Sequence, residues 1–500
     1  MRLTHVLAIA ALATALFAAG CLNENPEASP PINNLQTTTT PAAAINLHEA
    51  QFEGVIRAGV GPQFDATGKS VALLLFTPSI QRTRLTSTDV STGMAKVDLI
   101  IDGAPVNGVG PTVYPDGSLV YALTQKEDGA ILSAVDVSSG LVSATVRPPG
   151  VVVPYQPPIL VGALIIIPTY LDNKTRISTY LAKGLTPVWD AELDGFPAPS
   201  VAPLITNDYV AMAVRKDDGT SVVNVIDPKT GKTTAQTALP RDLVPGAGPI
   251  EISAGKIGVA TEHSETGDSA FTAIDASTGN TIYEAPLEGE LVGRVAPIQT
   301  PNAIIVATNT QKGIITFINP QTGDQQKTYL NAPIPPGITP LLTPDGKIAA
   351  ATQAQTAAIE TATPDGTTTE TPISGNYAIH TNILQNEGLI YAFTNRENES
   401  YMTAINETTG KIKYRKELNG SIDPAVKTAL THDATAFAYS LAPAIAALKT
   451  ANFNQKAIAI ATEDETTVYF HLLSPQTGET LALQETQGRI WPAVSPITPY

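Results

Sequence analysis

One stretch of the sequence contains the pattern that decides the fold: Asp275-Ala276-Ser277-Thr278-Gly279-Asn280-Thr281-Ile282-Tyr283-Glu284-Ala285-Pro286-Leu287-Glu288-Gly289. It opens with Asp-x-x-Thr-Gly, which predicts a type I turn, because an aspartate side chain can accept hydrogen bonds from backbone two residues further on. The first glycine is expected to adopt a left-handed conformation and to lead into a strand. The second glycine ends that strand. The stretch therefore predicts a hairpin between two antiparallel strands.

Close variants of this turn recur along the whole chain. They occupy 89–93, 136–140, 227–231, 319–323, 406–410 and 474–478, and weaker copies end at Gly184 and Gly366. Seven successive glycine-to-glycine spacings are 43 to 48 residues, and the last is 68. A period in the mid-forties indicates one supersecondary unit that is repeated.

The other half of each unit repeats as well. A proline-containing apolar stretch, such as Val295-Ala296-Pro297-Ile298, precedes a buried strand and a polar loop. Each unit is therefore expected to hold four antiparallel strands, and units of this length arranged radially form β-propeller blades. We predict an all-β fold and a β-propeller, with eight blades favoured and seven to nine possible. A linear β-solenoid is the alternative, although its repeats are usually shorter.

Ring closure is left open by the sequence. Nine turn units can be counted, and the final residues 494–499 repeat the opening of a unit. They can complete the first blade and latch the ring, but the first unit already has an inner strand of its own.

At these residues the chain resembles the pyrroloquinoline-quinone-type (PQQ-like) propeller repeat over about 58–488. The best matches read Gly279…Tyr283…Leu287…Gly289, Gly410-Lys411…Tyr414…Leu418…Gly420 and Gly184…Trp189…Leu193…Gly195. The family usually has tryptophan at the aromatic position, where it docks between blades. Because tryptophan occurs here only at 189 and 491, we expect the docking between blades either to be weaker or to use tyrosine and aliphatic side chains.

Two branches of that family imply different functions. Its quinoprotein dehydrogenases hold the quinone over adjacent cysteines, and this chain has a single cysteine, so no cofactor is predicted. The other branch contains cofactor-free lipoproteins, such as the eight-bladed propeller of the outer-membrane β-barrel assembly machinery. That similarity implies a scaffold that binds proteins through inter-blade loops.

The first residues predict export and lipid anchoring. Residues 1–20 have a charged start, a short apolar run and small residues before Cys21, which is typical of a lipoprotein signal peptide. Cys21 is the predicted lipidation site, and an ordinary cleaved signal with a coincidental cysteine is the alternative. Residues 21–47 are rich in proline and threonine and predict a disordered tether. The propeller is assigned to 48–500, with an insertion at about 433–460 in which 440–449 is expected to form a short helix.

Composition and motifs argue against several functions. The net charge of −16 disfavours nucleic acid as a partner. The six histidines do not pair at metal-ligand spacing. The acidic clusters Asp217-Asp218 and 463–465 are interpreted as solvated turns, with calcium binding as the alternative. No catalytic motif is found, so we predict no catalytic, metal or cofactor-binding residues and no enzyme activity.

Three functional hypotheses follow. The favoured one is a monomeric, lipid-anchored envelope protein, facing outside the cytoplasm, that binds envelope or secreted proteins through propeller loops. The alternatives are a secreted enzyme with a site in the central funnel and a propeller that binds extracellular polysaccharide. The low aromatic content of 6% argues against the polysaccharide hypothesis.

Overall fold

The structure, a computed structural model, consists of β-strands joined by turns and loops. It describes residues 46–53, 60, 63–65, 70–89, 92, 94–198, 201–378, 381–422, 429–431, 434–442, 445–453, 457–464 and 467–487. No helix occurs among these residues, so none in this part of the chain could cross a membrane. The all-β prediction is confirmed.

The strands form nine four- or five-stranded sheets in chain order, and β1 (Asn46–Glu53) lies outside them. Sheet 1 contains β2 (Gln63–Phe64), β3 (Ser70–Thr77), β4 (Arg82–Asp89) and β5 (Ala95–Ile101). Sheet 2 contains β6 (Ala104–Pro105), β7 (Thr112–Val113), β8 (Leu119–Lys126), β9 (Gly129–Asp136) and β10 (Leu141–Val146). Sheet 3 contains β11 (Val151–Val152), β12 (Ile159–Val161), β13 (Leu164–Leu171), β14 (Lys174–Leu181) and β15 (Pro187–Asp194).

The next three sheets repeat this arrangement. Sheet 4 contains β16 (Phe196–Pro197), β17 (Leu204–Ile205), β18 (Val210–Arg215), β19 (Ser221–Ile226) and β20 (Thr233–Leu239). Sheet 5 contains β21 (Asp242–Leu243), β22 (Ile250–Ser253), β23 (Lys256–Glu262), β24 (Ser269–Asp275) and β25 (Thr281–Leu287). Sheet 6 contains β26 (Glu290–Leu291), β27 (Ile298–Gln299), β28 (Ile304–Asn309), β29 (Gly313–Ile318) and β30 (Gln325–Tyr329).

The last three sheets end with the longest unit. Sheet 7 contains β31 (Leu341–Leu342), β32 (Ile348–Gln353), β33 (Ala357–Ala362) and β34 (Thr368–Ile373). Sheet 8 contains β35 (Asn376–Tyr377), β36 (Leu384–Asn386), β37 (Leu389–Arg396), β38 (Glu399–Asn406) and β39 (Ile412–Leu418). Sheet 9 contains β40 (Ala429–Thr431), β43 (Ala457–Glu463), β44 (Thr467–Leu473) and β45 (Thr480–Gln487), and the insertion holds β41 (Ala434–Ala442) and β42 (Ile445–Phe453).

Within every sheet the strands pair antiparallel in chain order, and six sheets have a first strand split into two short pieces. The predicted Asp-x-x-Thr-Gly turns join the third strand to the outer strand. In sheet 5, Asp275 Oδ1 accepts hydrogen bonds from the backbone N–H groups of Ser277 and Thr278, at 2.9 Å each, and Gly279 has φ +74°. The predicted turn chemistry is confirmed here, and the same glycine position has positive φ at Gly140, Gly184, Gly231, Gly323, Gly366, Gly410 and Gly478.

The core consists of hydrophobic clusters between consecutive sheets. Eight clusters join sheet 1 to sheet 2, sheet 2 to sheet 3, and so on to sheet 9. The largest fully buried side chains include Tyr121, Phe271 and Tyr391. Because each of sheets 2 to 8 buries both faces against its neighbours, its second and third strands are nearly continuous runs of buried residues, as in β8 and β9.

Consecutive sheets also touch at their first strands. In the turn that splits the first strand, the N–H of Tyr155 donates to the carbonyl of Asn107 in the preceding sheet, at 2.9 Å. The N–H of Arg294 donates in the same way to the carbonyl of Pro245, also at 2.9 Å. First strands therefore lie beside first strands, which is the arrangement expected of radially placed blades.

One expectation about the last unit needs correction. The segment expected to form a helix at 440–449 lies instead in β41 and β42, which form an antiparallel hairpin. β42 also pairs with β1, from Asn46 opposite Asn452 to Glu53 opposite Ile445, so the insertion forms a separate three-stranded sheet. The described residues contain nine four- or five-stranded sheets, which lies within the predicted range of seven to nine blades, and the number of sheets that close into one ring stays a prediction.

Candidate partner-binding surface

The sheet-to-sheet crossovers and the turns between second and third strands lie together at one end of the strands, which we call the hairpin end. The Asp-x-x-Thr-Gly turns lie at the opposite end, which we call the Asx-turn end. At six of the eight crossovers, a glycine approaches the backbone where the second strand of the next sheet ends. A Cβ on Gly150, for example, would lie 2.5 Å from the carbonyl oxygen of Tyr170, and the φ of Gly150 is +93°. This packing explains the second glycine of the repeat.

Buried hydroxyl groups hold the crossovers in place. The Oγ of Thr83 donates to the carbonyl of Gly103 at 2.8 Å, and the Oγ1 of Thr124 donates to the carbonyl of Asp102 at 2.7 Å. Equivalent bonds from a threonine or serine to a crossover carbonyl recur from Thr169, Thr175, Ser269, Thr308, Thr394, Ser400 and Thr462. The hairpin end is therefore a fixed framework, since buried carbonyls without partners would be destabilising.

At the Asx-turn end, an aromatic side chain of one outer strand packs on the turn of the next sheet. The Nε1–H of Trp189 donates to the carbonyl of Pro228 at 2.8 Å, and the ring lies where a Cβ on Gly231 would be, 2.5 Å away. Tyr283 packs in the same way on Gly323, and Tyr414 packs on Gly478. Burial raises the pKa of Tyr283 to about 12. The alternative in which tyrosine replaces tryptophan between blades is confirmed at these two joints.

A cleft of about 880 Å³ opens between sheets 1 and 2 at the hairpin end. It is lined by Ile80, Gln81, Arg82, Asp102, Gly103, Ala104, Gln125, Lys126, Glu127 and Asp128. The turn after β3 contributes the exposed Ile80, the crossover contributes Asp102, and β8 contributes Lys126 at its end. Backbone from two sheets thus forms the walls, and mostly polar side chains form the lining.

Two cations of the cleft share one carboxylate. Arg82 Nη2 lies 3.5 Å from Asp102 Oδ1, and Lys126 Nζ lies 3.6 Å from Asp102 Oδ2. Exposed ion pairs of this kind contribute only about 0–1 kcal/mol, so breaking them costs little. Both cations can therefore turn toward a carboxylate of a bound partner.

An aromatic patch continues the cleft onto sheets 3 and 4. The Oε1 of Gln125 accepts a hydrogen bond from the N–H of Val152 at 2.8 Å, which joins the cleft to sheet 3. Val151 is 48% exposed and pairs with Tyr170, whose ring centroid lies 5.0 Å from that of Phe196. Partly exposed aromatic and aliphatic side chains beside charged groups are typical of protein interfaces. We call the cleft and this patch together the hairpin-end surface.

The comparisons with known proteins agree with this architecture. Residues 218–439 match the family model described as outer membrane protein assembly factor BamB. The fold is a β-propeller, and residues 218–439 resemble PQQ-like repeats. It is similar to the BamB propeller, and a comparison with curated protein sequences gives no match.

Three solved structures illustrate the similarity of this propeller to others. The crystal structure of BamB from Moraxella catarrhalis matches at 15% identity and a TM-score of 0.40, over 70% of this propeller chain and 95% of its own. The dihydro-heme d1 dehydrogenase NirN matches at 15% identity and a TM-score of 0.40, over 74% of this chain and 78% of its own. Saccharomyces cerevisiae Sqt1 matches at 11% identity and a TM-score of 0.41, over 87% of this chain and 98% of its own. At these values none of them indicates what this propeller binds.

The sequence-predicted lipidation site and several histidines lie outside the described part. Cys21, residues 22–45 of the tether and the latch segment 494–499 are among the residues that the structure does not describe. Of the described histidines, His263 accepts at Nδ1 from the N–H of Glu265, and His471 is buried. No group of three or more potential metal ligands occurs among the described residues.

Asp218 and Asp464, one from each acidic cluster, have structural roles in the described turns. Asp218 accepts from the hydroxyl and the N–H of Thr220, and these hydrogen bonds hold the pKa of its carboxyl below the ordinary value. Asp464 accepts from the N–H of Thr467 at 2.8 Å and from the hydroxyl of Tyr469 at 2.6 Å.

Sequence reasoning missed both the hairpin-end surface and a row of buried polar residues in the third strands. One such residue lies at the same position of each sheet: Thr86, Ser133, Ser178, Asn224, Thr272, Thr316, Glu360, Thr403 and His471. The signal for this row was a polar residue three positions before the first residue of each turn copy. The cleft gave no such signal, because its charged residues come from separate units.

Proposed function

We propose that this chain is an exported, lipid-anchored envelope protein that binds other proteins through the hairpin-end surface. The observation that carries the proposal is the junction of a charged cleft with an aromatic patch on a rigid framework of crossovers. Similarity to the BamB propeller supports a scaffold role, and the lack of a recognisable catalytic motif in the sequence is consistent with it.

The geometry suits proteins better than small molecules. The cleft is open and bordered by short turns, whereas small-molecule pockets are concave and mostly apolar. The apolar anchors Ile80, Val151 and Phe196 are spread over sheets 1 to 4, so one partner has to span several blades to use them. A protein surface can do this.

The partner test uses a photo-crosslinking amino acid in the full chain expressed in cells. It replaces Ile80, which is 48% exposed at the hairpin end, or Met94, which is 69% exposed near the Asx-turn end of the same sheet. We expect protein adducts from position 80 and few from position 94, identified by mass spectrometry. Arg82→Glu should reduce the adducts at position 80 at least fivefold, because it reverses a charge in the cleft. Equal adducts from both positions, or none from position 80, would overturn the proposal.

Anchoring is tested separately with Cys21→Ser. The full chain should fractionate with membranes and carry a lipid on Cys21, and the variant should be released in soluble form. Membrane association that is unchanged in the variant would show that the anchor is not this cysteine.

A further inference from the structure

The outer strand of sheet 2, β10, is the least protected sheet edge in the described part of the propeller. It reads Leu-Val-Ser-Ala-Thr-Val, without a charged residue or a proline, and it is the last strand of its sheet. Leu141 is 63% exposed and Val142 is 43% exposed. Native sheets normally blunt such edges with charges, prolines, bulges or covering segments, because an exposed apolar edge pairs with other chains. β10 has a bulge between Val142 and Ala144, as six other outer strands do, but it has neither a charge nor a proline.

The other described outer strands have at least one of these devices or expose polar residues. Charged residues occur in β5, β15, β25, β30, β34, β39 and β45, and the uncharged β20 presents threonine and glutamine instead. Some of them expose a single large apolar residue, such as Val188 in β15. Only β10 exposes two adjacent ones within the described strands.

The charges at the two ends of β10 indicate the orientation and charge of an added segment. At the Asx-turn end, Leu141 pairs with Asp136, whose pKa is held below its ordinary value by hydrogen bonds from Ser138 and Ser139. At the other end, Arg147 follows the strand and is neutralised by Asp128 at 2.6 Å. The Asx-turn end is therefore negative and the hairpin end is balanced, in a chain of net charge −16.

We propose that β10 accepts an extended segment of a partner protein as an added strand. The segment has β-branched and polar residues in alternation and carries lysine or arginine at the end that lies near Asp136. Backbone hydrogen bonds to β10 supply the affinity, and contacts with Leu141 and Val142 supply the specificity. This inference rests on the proposed function and deepens it. Asp128 lines the cleft and also pairs with Arg147, which follows β10, so the two sites are adjacent.

The test uses a fluorescein-labelled ten-residue peptide of alternating threonine and valine with two lysines at one end. A matched peptide carries N-methyl groups on alternate backbone nitrogens, which block strand pairing without changing the side chains. Binding to the folded full chain is measured by fluorescence anisotropy, and amide hydrogen exchange is followed over 141–146. We expect the first peptide to bind and to protect β10, and the N-methylated peptide to bind at least tenfold more weakly.

Variants locate the site. Val142→Lys should weaken peptide binding at least tenfold, because it adds an edge lysine, whereas Val142→Thr should stay within threefold. Val188→Lys is the matched control, since Val188 is 41% exposed on β15, and it should leave binding unchanged. Equal binding of the N-methylated peptide, an equal loss in Val188→Lys, or no protection of β10 would overturn strand addition. Protection of β10 by self-association without any peptide would also overturn it, in favour of a second copy.

A failure of this proposal can be told apart from a failure of the proposed function. If position 80 still forms adducts while β10 binds no peptide, strand addition alone is wrong. If the native chain forms no adducts at position 80, the hairpin-end surface itself is not a partner site.

Discussion

Removal of the indole of Trp189 should weaken the joint between sheets 3 and 4 more than any change to an exposed aromatic. Trp189 is only 8% exposed and belongs to the hydrophobic cluster that joins these two sheets. Truncation of a buried tryptophan to alanine costs about 3–5 kcal/mol. The lost hydrogen bond to Pro228 is part of that cost, at about 1 kcal/mol. We therefore expect Trp189→Ala to lower the free energy of unfolding by about 4 kcal/mol.

The assay is urea unfolding followed by far-ultraviolet circular dichroism. Trp189→Phe keeps most of the packing but lacks the donor, so it should lose about 1–2 kcal/mol. Tyr329→Ala is the control, because Tyr329 is 50% exposed on another outer strand and should cost less than about 1 kcal/mol. If Trp189→Ala is no more destabilising than Tyr329→Ala, inter-sheet docking does not hold this joint.

Three further changes test the crossovers, the buried polar row and the anchor. Gly150→Ala should lower the melting temperature by several degrees, because its Cβ would meet the Tyr170 carbonyl in addition to the strain of its left-handed φ. Gly162→Ala is the control, since its φ of +56° is also left-handed but the space around it is open, and it should cost only about 1 kcal/mol. Burial lowers the pKa of His471 to about 4, so the free energy of unfolding should fall by about 3 kcal/mol in total as the pH decreases from about 6.5 toward 4. This loss should appear as a lower urea midpoint at pH 4.5 than at pH 7. Replacing His471 with threonine should remove its contribution to that difference between the two midpoints. For the anchor, metabolic labelling with a radioactive fatty acid should mark the native chain and not Cys21→Ser.

The repeat was readable from the sequence because its signals are local. An aspartate, a threonine and a glycine at fixed spacing specify a turn through hydrogen bonds within five residues, as Asp275 does. The second glycine marks a close backbone approach, and the aromatic position marks the joint to the next blade. These features predicted the sheets, their antiparallel order and the docking residues.

The insertion was misread because its conformation depends on distant pairing. Its alanine-rich segment has high helix propensity, and Ser440 and Pro443 suggested a helix start. Pairing of β42 with β1, nearly 400 residues earlier in the chain, outweighs that propensity.

The hairpin-end surface could not be predicted because it is formed by residues of different sheets. Arg82, Asp102 and Lys126 have no shared spacing in the sequence, and only the crossover between sheets 1 and 2 brings them together. The same is true of Tyr170 and Phe196. Fold signals repeat in every unit, whereas a binding surface uses what differs between units.

The central claim is that the like sheets are arranged radially and return to the first. Ala482 in sheet 9 has the register position that Trp189 has in sheet 3, and in a closed ring it should lie beside the turn of sheet 1 that contains Thr92. In a Cys21→Ser background, cysteines at 482 and 92 should form an intramolecular disulfide on mild oxidation, as should a reference pair at 235 and 278 in the adjacent sheets 4 and 5. A disulfide in the reference pair but none between 482 and 92 would contradict ring closure.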